Sequence, residues 1–232
     1  MKSEEIISII ERLNSGEVGD DIFICPISEK VVYAKVWENE IISSTKFEPR
    51  LPYDFYFFKA ESDKFIGAVL DRKNDLHWVV VPEYRGKGYL KKALFEAVIP
   101  HLAIEKTEQR ITVDTRNLDD AISAASEKVA LAVGFQRVEE VNGKVEFVLN
   151  LEGKDTLRQL KLTRLNRDRK EVVQSRIKVA FDNLVRAKIE LEFGYGYVDE
   201  VEGLEYLNDD LRSLIFRLNA RFLDEHFDEK AN

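Results

Sequence analysis

Leu76–Leu94 reads LHWVVVPEYRGKGYLKKAL, and three kinds of chain follow one another within it. Leu76 to Val81 is an apolar run rich in β-branched residues, long enough for one buried strand. Pro82-Glu83-Tyr84-Arg85-Gly86-Lys87-Gly88 breaks it with a proline and two glycines. Leu90, Ala93, Leu94, Ala97 and Val98 then recur on one face of a helix that Pro100 ends or kinks. A glycine loop between strand and helix aims backbone N–H groups at whatever sits in it, with the positive end of the helix dipole behind them. Gly86 and Gly88 let a pyrophosphate approach the backbone closely, and Arg85 and Lys87 add positive charge. A Gly-x-Gly turn is also an ordinary strand-to-helix connection, so spacing alone leaves both readings open.

Upstream of this segment, Ile6, Ile7, Ile9, Ile10 and Leu13 predict a short amphipathic helix that stops near Asn14-Ser15-Gly16. Apolar runs over 22–25, 31–37, 55–59 and 64–70 predict four strands. Downstream, 110–114 reads as a strand and 119–133 as a helix stopped by Gly134. Two further strands flank Asn142-Gly143, a pair that tolerates the positive φ of a tight hairpin. The first domain is expected to span residues 1–151. From Glu152-Gly153-Lys154 onward the pattern turns helical, and 152–232 is expected to be an accessory helical hairpin. Its two apolar stripes, Val173 to Leu191 and Leu204 to Phe222, are expected to pack on each other around the glycines at 194 and 196 and to leave surface for a homodimer.

Composition narrows the functional classes. Hydrophobic residues make up 44% and charged residues 34%, which suits a folded, water-facing protein. The formal net charge of -8 argues against indiscriminate nucleic-acid binding, although residues 151–192 hold 11 Lys/Arg against 7 Asp/Glu and residues 193–232 hold 4 against 10. The single cysteine, Cys25, has no internal disulfide partner, and the start MKSEEIISIIERL lacks a long apolar run. The expected location is the cytoplasm, with no membrane span. The three histidines show no zinc spacing, and no serine-hydrolase elbow, ATPase phosphate loop or dinucleotide fingerprint is present, so no metal is expected.

LHWVVVPEYRGKGYLKKAL as a whole resembles the coenzyme A-binding motif of GNAT acyltransferases, with its apolar strand, Pro-x-x-Arg-Gly-x-Gly loop and following helix. AASEKVALAVGF, residues 124–135, looks like the second coenzyme A-contacting helix of that family and its Gly-Phe exit. The resemblance implies an α/β (α+β) fold for 1–151, with a mixed, mostly antiparallel central sheet flanked by helices. It implies acetyl-CoA as acyl-donor substrate and an amine-bearing small molecule or protein as acceptor. Carried over residue by residue, Val79, Val80 and Val81 line the pantetheine arm, and Arg85, Gly86, Lys87, Gly88, Tyr89 and Leu90 hold the phosphates.

Direct attack of an amine on a thioester needs a base, an oxyanion donor and an acid for the departing thiolate. The resemblance places the oxyanion donor at a backbone N–H near Val80. His77 is the base candidate because it stands on the strand leading into the loop and imidazole titrates near neutrality. The alternative is packing or hydrogen bonding. For the acid, many GNAT enzymes carry Tyr four residues before the Gly of Gly-Phe, where this chain has Ala130. An Asn-x-x-Ser pattern of the ribosomal-protein amino-terminal acetyltransferase branch matches Ser126, with Ser123 at the Asn position and Asn117 a substitute further upstream. That branch also tolerates an apolar residue such as Leu90. Trp37, Tyr53, Phe55, Tyr56 and Trp78 are candidates to frame an acceptor pocket or ordinary packing residues. Two other functions stay open: a catalytically silent acyl-CoA-binding sensor or scaffold, and an aminoacyl-tRNA acetyltransferase toxin whose basic helix meets RNA.

Overall fold

A computed structural model describes residues 1–19, 21–37, 51–116, 120–154 and 165–231, and only the backbone of Asp120 and of residues 223–231. The chain divides into two compact units, Met1–Leu162 and Thr163–Asn232. The first still includes Leu151, which is buried and donates its N–H to the Thr107 carbonyl at 2.8 Å.

The mixed α/β fold expected from the sequence is present. Helix α1 (Ser3–Ser15) precedes five strands, β1 (Ile22–Pro26), β2 (Val31–Val36), β3 (Tyr53–Lys59), β4 (Phe65–Asp71) and β5 (Leu76–Val80). They form one antiparallel sheet in chain order, as hairpin connections require. A 3-10 turn (Pro82–Tyr84) leads to α2 (Tyr89–Ala93), a π turn (Leu94–Val98) and α3 (Ile99–Leu102), with no break between these three. Then come β6 (Glu108–Asp114), α4 (Asp120–Ala132), β7 (Gln136–Val141) and β8 (Lys144–Asn150), whose three strands pair in the order β6-β8-β7. Asn142 and Gly143 both have positive φ, 51° and 69°, as the Asn-Gly hairpin turn demands.

Alternation along β3 divides the interior in two. Phe55 and Phe57 join Ile6, Ile9, Ile10 and Leu13 of α1 on one face, while Tyr56 and Phe58 join Leu90, Leu94, Val98 and Leu102 on the other. All four aromatic side chains are fully buried, so β3 is covered on both faces. Phe55 and Tyr56 therefore belong to the packing, not to an open pocket. Gly67 on β4 makes room for Phe58, because a Cβ there would stand 2.2 Å from the ring. The helix read from Leu90 to Val98 is present, but its middle is wound wider than an α-helix. Pro100 has no N–H to give the carbonyl one turn back, and a π turn immediately before it absorbs that missing bond.

The second unit is a helical hairpin of α5 (Arg167–Tyr195) and α6 (Asp199–Ala231). Asn166 caps α5 by accepting the Arg169 N–H at 2.9 Å. Gln174 donates to Asn219 at 2.7 Å and Lys188 pairs with Glu205 at 3.2 Å, which fixes the antiparallel register. On α6 the seam follows Val201, Leu204, Asn208, Leu211, Ile215 and Leu218, steps of three and four that turn inward. Here the expected stripes are corrected. Leu207 is 54% exposed and Ala180 is exposed, because the apolar stripe is three heptad positions wide and a pair of helices closes over two.

Candidate active site

Strand β5 has two unlike edges. Toward β4 it is paired throughout, from Asp71↔Leu76 to Gly67↔Val80, and the Val81 N–H bonds the Ile66 carbonyl at 2.9 Å. Antiparallel alternation then turns the amides of His77, Val79 and Val81 to β4, and those of Leu76, Trp78 and Val80 to the opposite edge. On that edge, β5 and β6 meet at a single parallel bridge, Asp75↔Arg110. The Asp75 carboxylate reinforces it by accepting the Thr112 N–H at 2.7 Å. Burial raises the Asp75 pKa, and the Thr112 N–H works against that rise. Both ties are made by Asp75, the residue just before β5, and β5 and β6 belong to separate sheets. The result is a wedge pinned at Asp75 and open toward Val80.

The loop sits at the open end of the wedge. Gly86 and Gly88 have φ of 73° and 81°, and a Cβ on either would meet nothing within 4 Å. Backbone conformation, not crowding, therefore calls for glycine, and the space above the loop is open. Gly88 is the N-cap of α2 and its carbonyl accepts the Lys92 N–H at 3.0 Å. The N–H groups of Tyr89, Leu90 and Lys91 have no carbonyl one helical turn back to bond, so the helix start presents donors. Arg85 folds back and donates Nε to the Val80 carbonyl at 3.0 Å. Lys87 lies over the Tyr84 ring at 5.2 Å. Leu90 is buried with Ala93 and Leu94, which explains how a large apolar residue fits the position: its side chain serves the core, leaving its N–H at the loop.

The two catalytic candidates lie on opposite faces of β5. His77 shares a face with Val79 and Val81, whose side chains pack into the α1 core. Its Nε2 is buried without a hydrogen-bond partner. Burial lowers the His77 pKa, assisted by Arg72, so the ring is neutral at pH 7. Trp78 points the other way and donates Nε1 to Ser126 Oγ on α4 at 3.4 Å. Because α4 packs on β6 and β7, this contact reaches across the wedge. Ser123 is buried with its hydroxyl unbonded, and Ala130 is enclosed in the core, where no tyrosine would fit. Asn117 lies outside the described residues.

Two features had no sequence signal. One is the Trp78–Ser126 contact, which joins residues 48 positions apart. The other is a polar cluster on the same sheet face, where Tyr56 hydrogen-bonds His101 Nδ1 at 2.9 Å and Tyr33 bonds Asp54, itself paired with Lys35 at 2.7 Å. A cleft of about 450 Å³ lies elsewhere, on the outer face of the three-stranded sheet beside Thr112, Glu139 and Lys144. Among the described residues, no group of three or more His, Cys, Asp or Glu is placed to hold a metal, and no helix is long and apolar enough to cross a membrane.

No family model and no curated protein matches this chain. Three solved structures resemble parts of it. Mutant forms of the spermidine/spermine N-acetyltransferase SpeG from Vibrio cholerae are 13% identical over 43% of this chain and 67% of that one, with a TM-score of 0.32. A GNAT-family acetyltransferase from Listeria monocytogenes is 16% identical over 41% and 63%, with a TM-score of 0.33. A domain from Methanocaldococcus jannaschii is 12% identical over 52% and 98%, with a TM-score of 0.37.

Proposed function

We propose that the chain is an N-acetyltransferase that moves an acetyl group from acetyl-CoA to the amino group of a small molecule or protein. The observation that carries this reading is the coincidence of two open donors. One is a glycine loop with nothing above Gly86 and Gly88, and the other is the free edge of β5 that runs into that loop. The loop amides and the α2 start suit a pyrophosphate, and the Trp78 and Val80 amides suit the amide-bearing arm attached to it. Val79 and Val81 support that edge through the core on its far side.

In this reading a neutral amine attacks the thioester carbonyl, the C–N bond forms, the C–S bond breaks and the thiolate leaves. The Val80 N–H stabilises the oxyanion. Neutral His77 is the candidate proton acceptor, and Ser126 donates toward the leaving sulfur. The separation of His77 and Ser126 favours a second reading, an acyl-CoA-binding sensor that does not turn over.

Free coenzyme A released from acetyl-CoA in the presence of a panel of primary amines and peptides tests the proposal. Release with some amines supports the enzyme, and binding without release across the panel favours the sensor. An aminoacyl-tRNA acceptor in the same panel tests the toxin alternative. Gly88→Val places a β-branched residue at positive φ, which costs about 1–2 kcal/mol, and acetyl-CoA affinity is expected to fall about tenfold or more with the fold retained. Unchanged affinity would refute the loop assignment. Ser126→Ala is expected to slow single-turnover chemistry by about 10 to 1,000-fold, the range of general-acid and oxyanion contacts, with little effect on donor binding. A wild-type single-turnover rate would remove Ser126 from the mechanism.

A further inference from the structure

The hairpin of α5 and α6 does not bury its own apolar surface. No residue of α5 is buried, and on the described part of α6 only Val201 and Asn208 are. Its two flanks also differ. The flank carrying the Gln174–Asn219 and Lys188–Glu205 contacts is the more polar one, with Lys178 and Glu192 on either side of a single Val185 on α5 and Arg212 on α6. On the opposite flank the heptad positions are Val173, Ala180 and Ala187 on α5 and Leu207 and Leu214 on α6. In an antiparallel pair, positions of this kind on the two helices lie side by side, so these five residues form one strip along the hairpin. Two helices need two apolar positions per heptad, and a third on both points to a bundle of more than two.

Charge identifies what covers the strip. Where the two helices run side by side, the part away from the turn, residues 167–182 and 212–222, holds 8 Lys/Arg against 3 Asp/Glu, and the part at the turn, residues 183–211, holds 2 against 8; the end of α6 beyond the start of α5, residues 223–231, adds 1 Lys and 4 Asp/Glu. A second hairpin laid on the strip in the same direction would set like charge on like. Laid in the opposite direction, about a two-fold axis crossing the helices near Ala180 and Leu214, it sets the basic stretch of 167–182 and 212–222 on the acidic stretch of 183–211. Along that axis Arg217 comes beside the second copy's Asp210, and Arg169 beside the second copy's Glu190. The size also suits a stable dimer. Helices of 29 and 33 residues are about 45 Å long and about 10 Å wide each. The face therefore offers roughly 800 Å² per partner, the area of a standard specific interface.

We infer that a second copy of this chain docks on the Val173–Ala180–Ala187/Leu207–Leu214 strip, antiparallel to the first, to give a four-helix bundle. The inference rests on the second unit alone and stands apart from the acetyltransferase reading.

Sedimentation of the full chain at micromolar concentration is expected to give the mass of two chains, with dissociation at high salt as the end-to-end charge pairing is screened. Leu214→Glu is expected to give a monomer with unchanged far-ultraviolet helicity. Arg217→Glu acts twice in a symmetric dimer and is expected to weaken it about tenfold, and adding Asp210→Arg is expected to restore it. Ala180→Cys in a Cys25→Ser background is expected to cross-link to its counterpart on mild oxidation, a readout that does not depend on a destabilising variant. A monomeric wild type at 100-fold higher concentration would overturn the inference. So would a dimer indifferent to Leu214→Glu, or a charge pair that Asp210→Arg fails to rescue together with no Ala180→Cys cross-link.

Discussion

The sheet unit and the helical hairpin solve the same problem to different degrees. In the sheet unit, β3 alone buries Phe55, Tyr56, Phe57 and Phe58 completely between two layers of helix. In the hairpin, a helix of 29 residues buries none. Local regularity is therefore a poor guide to self-sufficiency. A central strand such as β3 obtains cover on both faces, whereas each helix of a pair can hide only the stripe that meets its neighbour, and the remainder of its stability must come from propensity, capping and association.

The sharpest test of this contrast is Phe57→Ala. It removes a fully buried ring and is expected to destabilise the sheet unit by about 3–5 kcal/mol, the usual cost of emptying a core aromatic site. Both tryptophans, Trp37 and Trp78, belong to the sheet unit, so fluorescence in a urea titration reports on that unit and helical circular dichroism on both. The fluorescence midpoint should fall while a hairpin component of the dichroism stays in place; coincident shifts would mean that the units do not unfold separately.

Leu184→Ala, in the half-buried seam of α5, is the matching change and a smaller one. About 1–2 kcal/mol is expected, because partial burial leaves less apolar area to lose. It should move the dichroism component alone, and a loss as large as that of Phe57→Ala would show the seam to be a true core.

The smallest expected effect comes from pH. His77 and His101 in the sheet unit both have pKa values lowered mainly by burial. A histidine whose folded pKa is depressed stabilises the fold fully above its unfolded value near 6.5, and that contribution is lost as pH falls toward the folded pKa. The fluorescence midpoint in urea should therefore drop between pH 7.5 and pH 5 with no matching change in the hairpin. A flat profile over that interval would mean that neither ring is held neutral by the fold.

These contrasts also show where the sequence is readable. Leu76–Leu94, the alternation of the strands and the Asn142-Gly143 turn could be read directly, because each depends on residues a few positions apart that share one backbone requirement. The wedge has no local sequence signal, since its pin joins Asp75 to Arg110 and Thr112 across an intervening helix. His77 was visible as a residue type, but its face of β5 depends on register, and a shift of one residue would have turned it to the side of Trp78. The hairpin was legible as two helices and misread by one stripe. Leu207 and Leu214 match helical spacing as well as Asn208 and Ile215 do, and periodicity does not say which two of three apolar positions a single neighbour will cover. The polar Asn208 in the seam was the least foreseeable choice; a buried amide there sets alignment at some cost in stability.

The bond from Arg85 to the Val80 carbonyl has a consequence for solubility. A strand edge left open is a template for any extended peptide, including another copy of the chain while it folds, and bare edges of apolar strands invite fibrous aggregation. LHWVVV is an uncharged, strongly apolar strand of that type. By laying a guanidinium along its outer rim, the chain puts a charged gatekeeper on this edge that a neighbouring strand would have to bury.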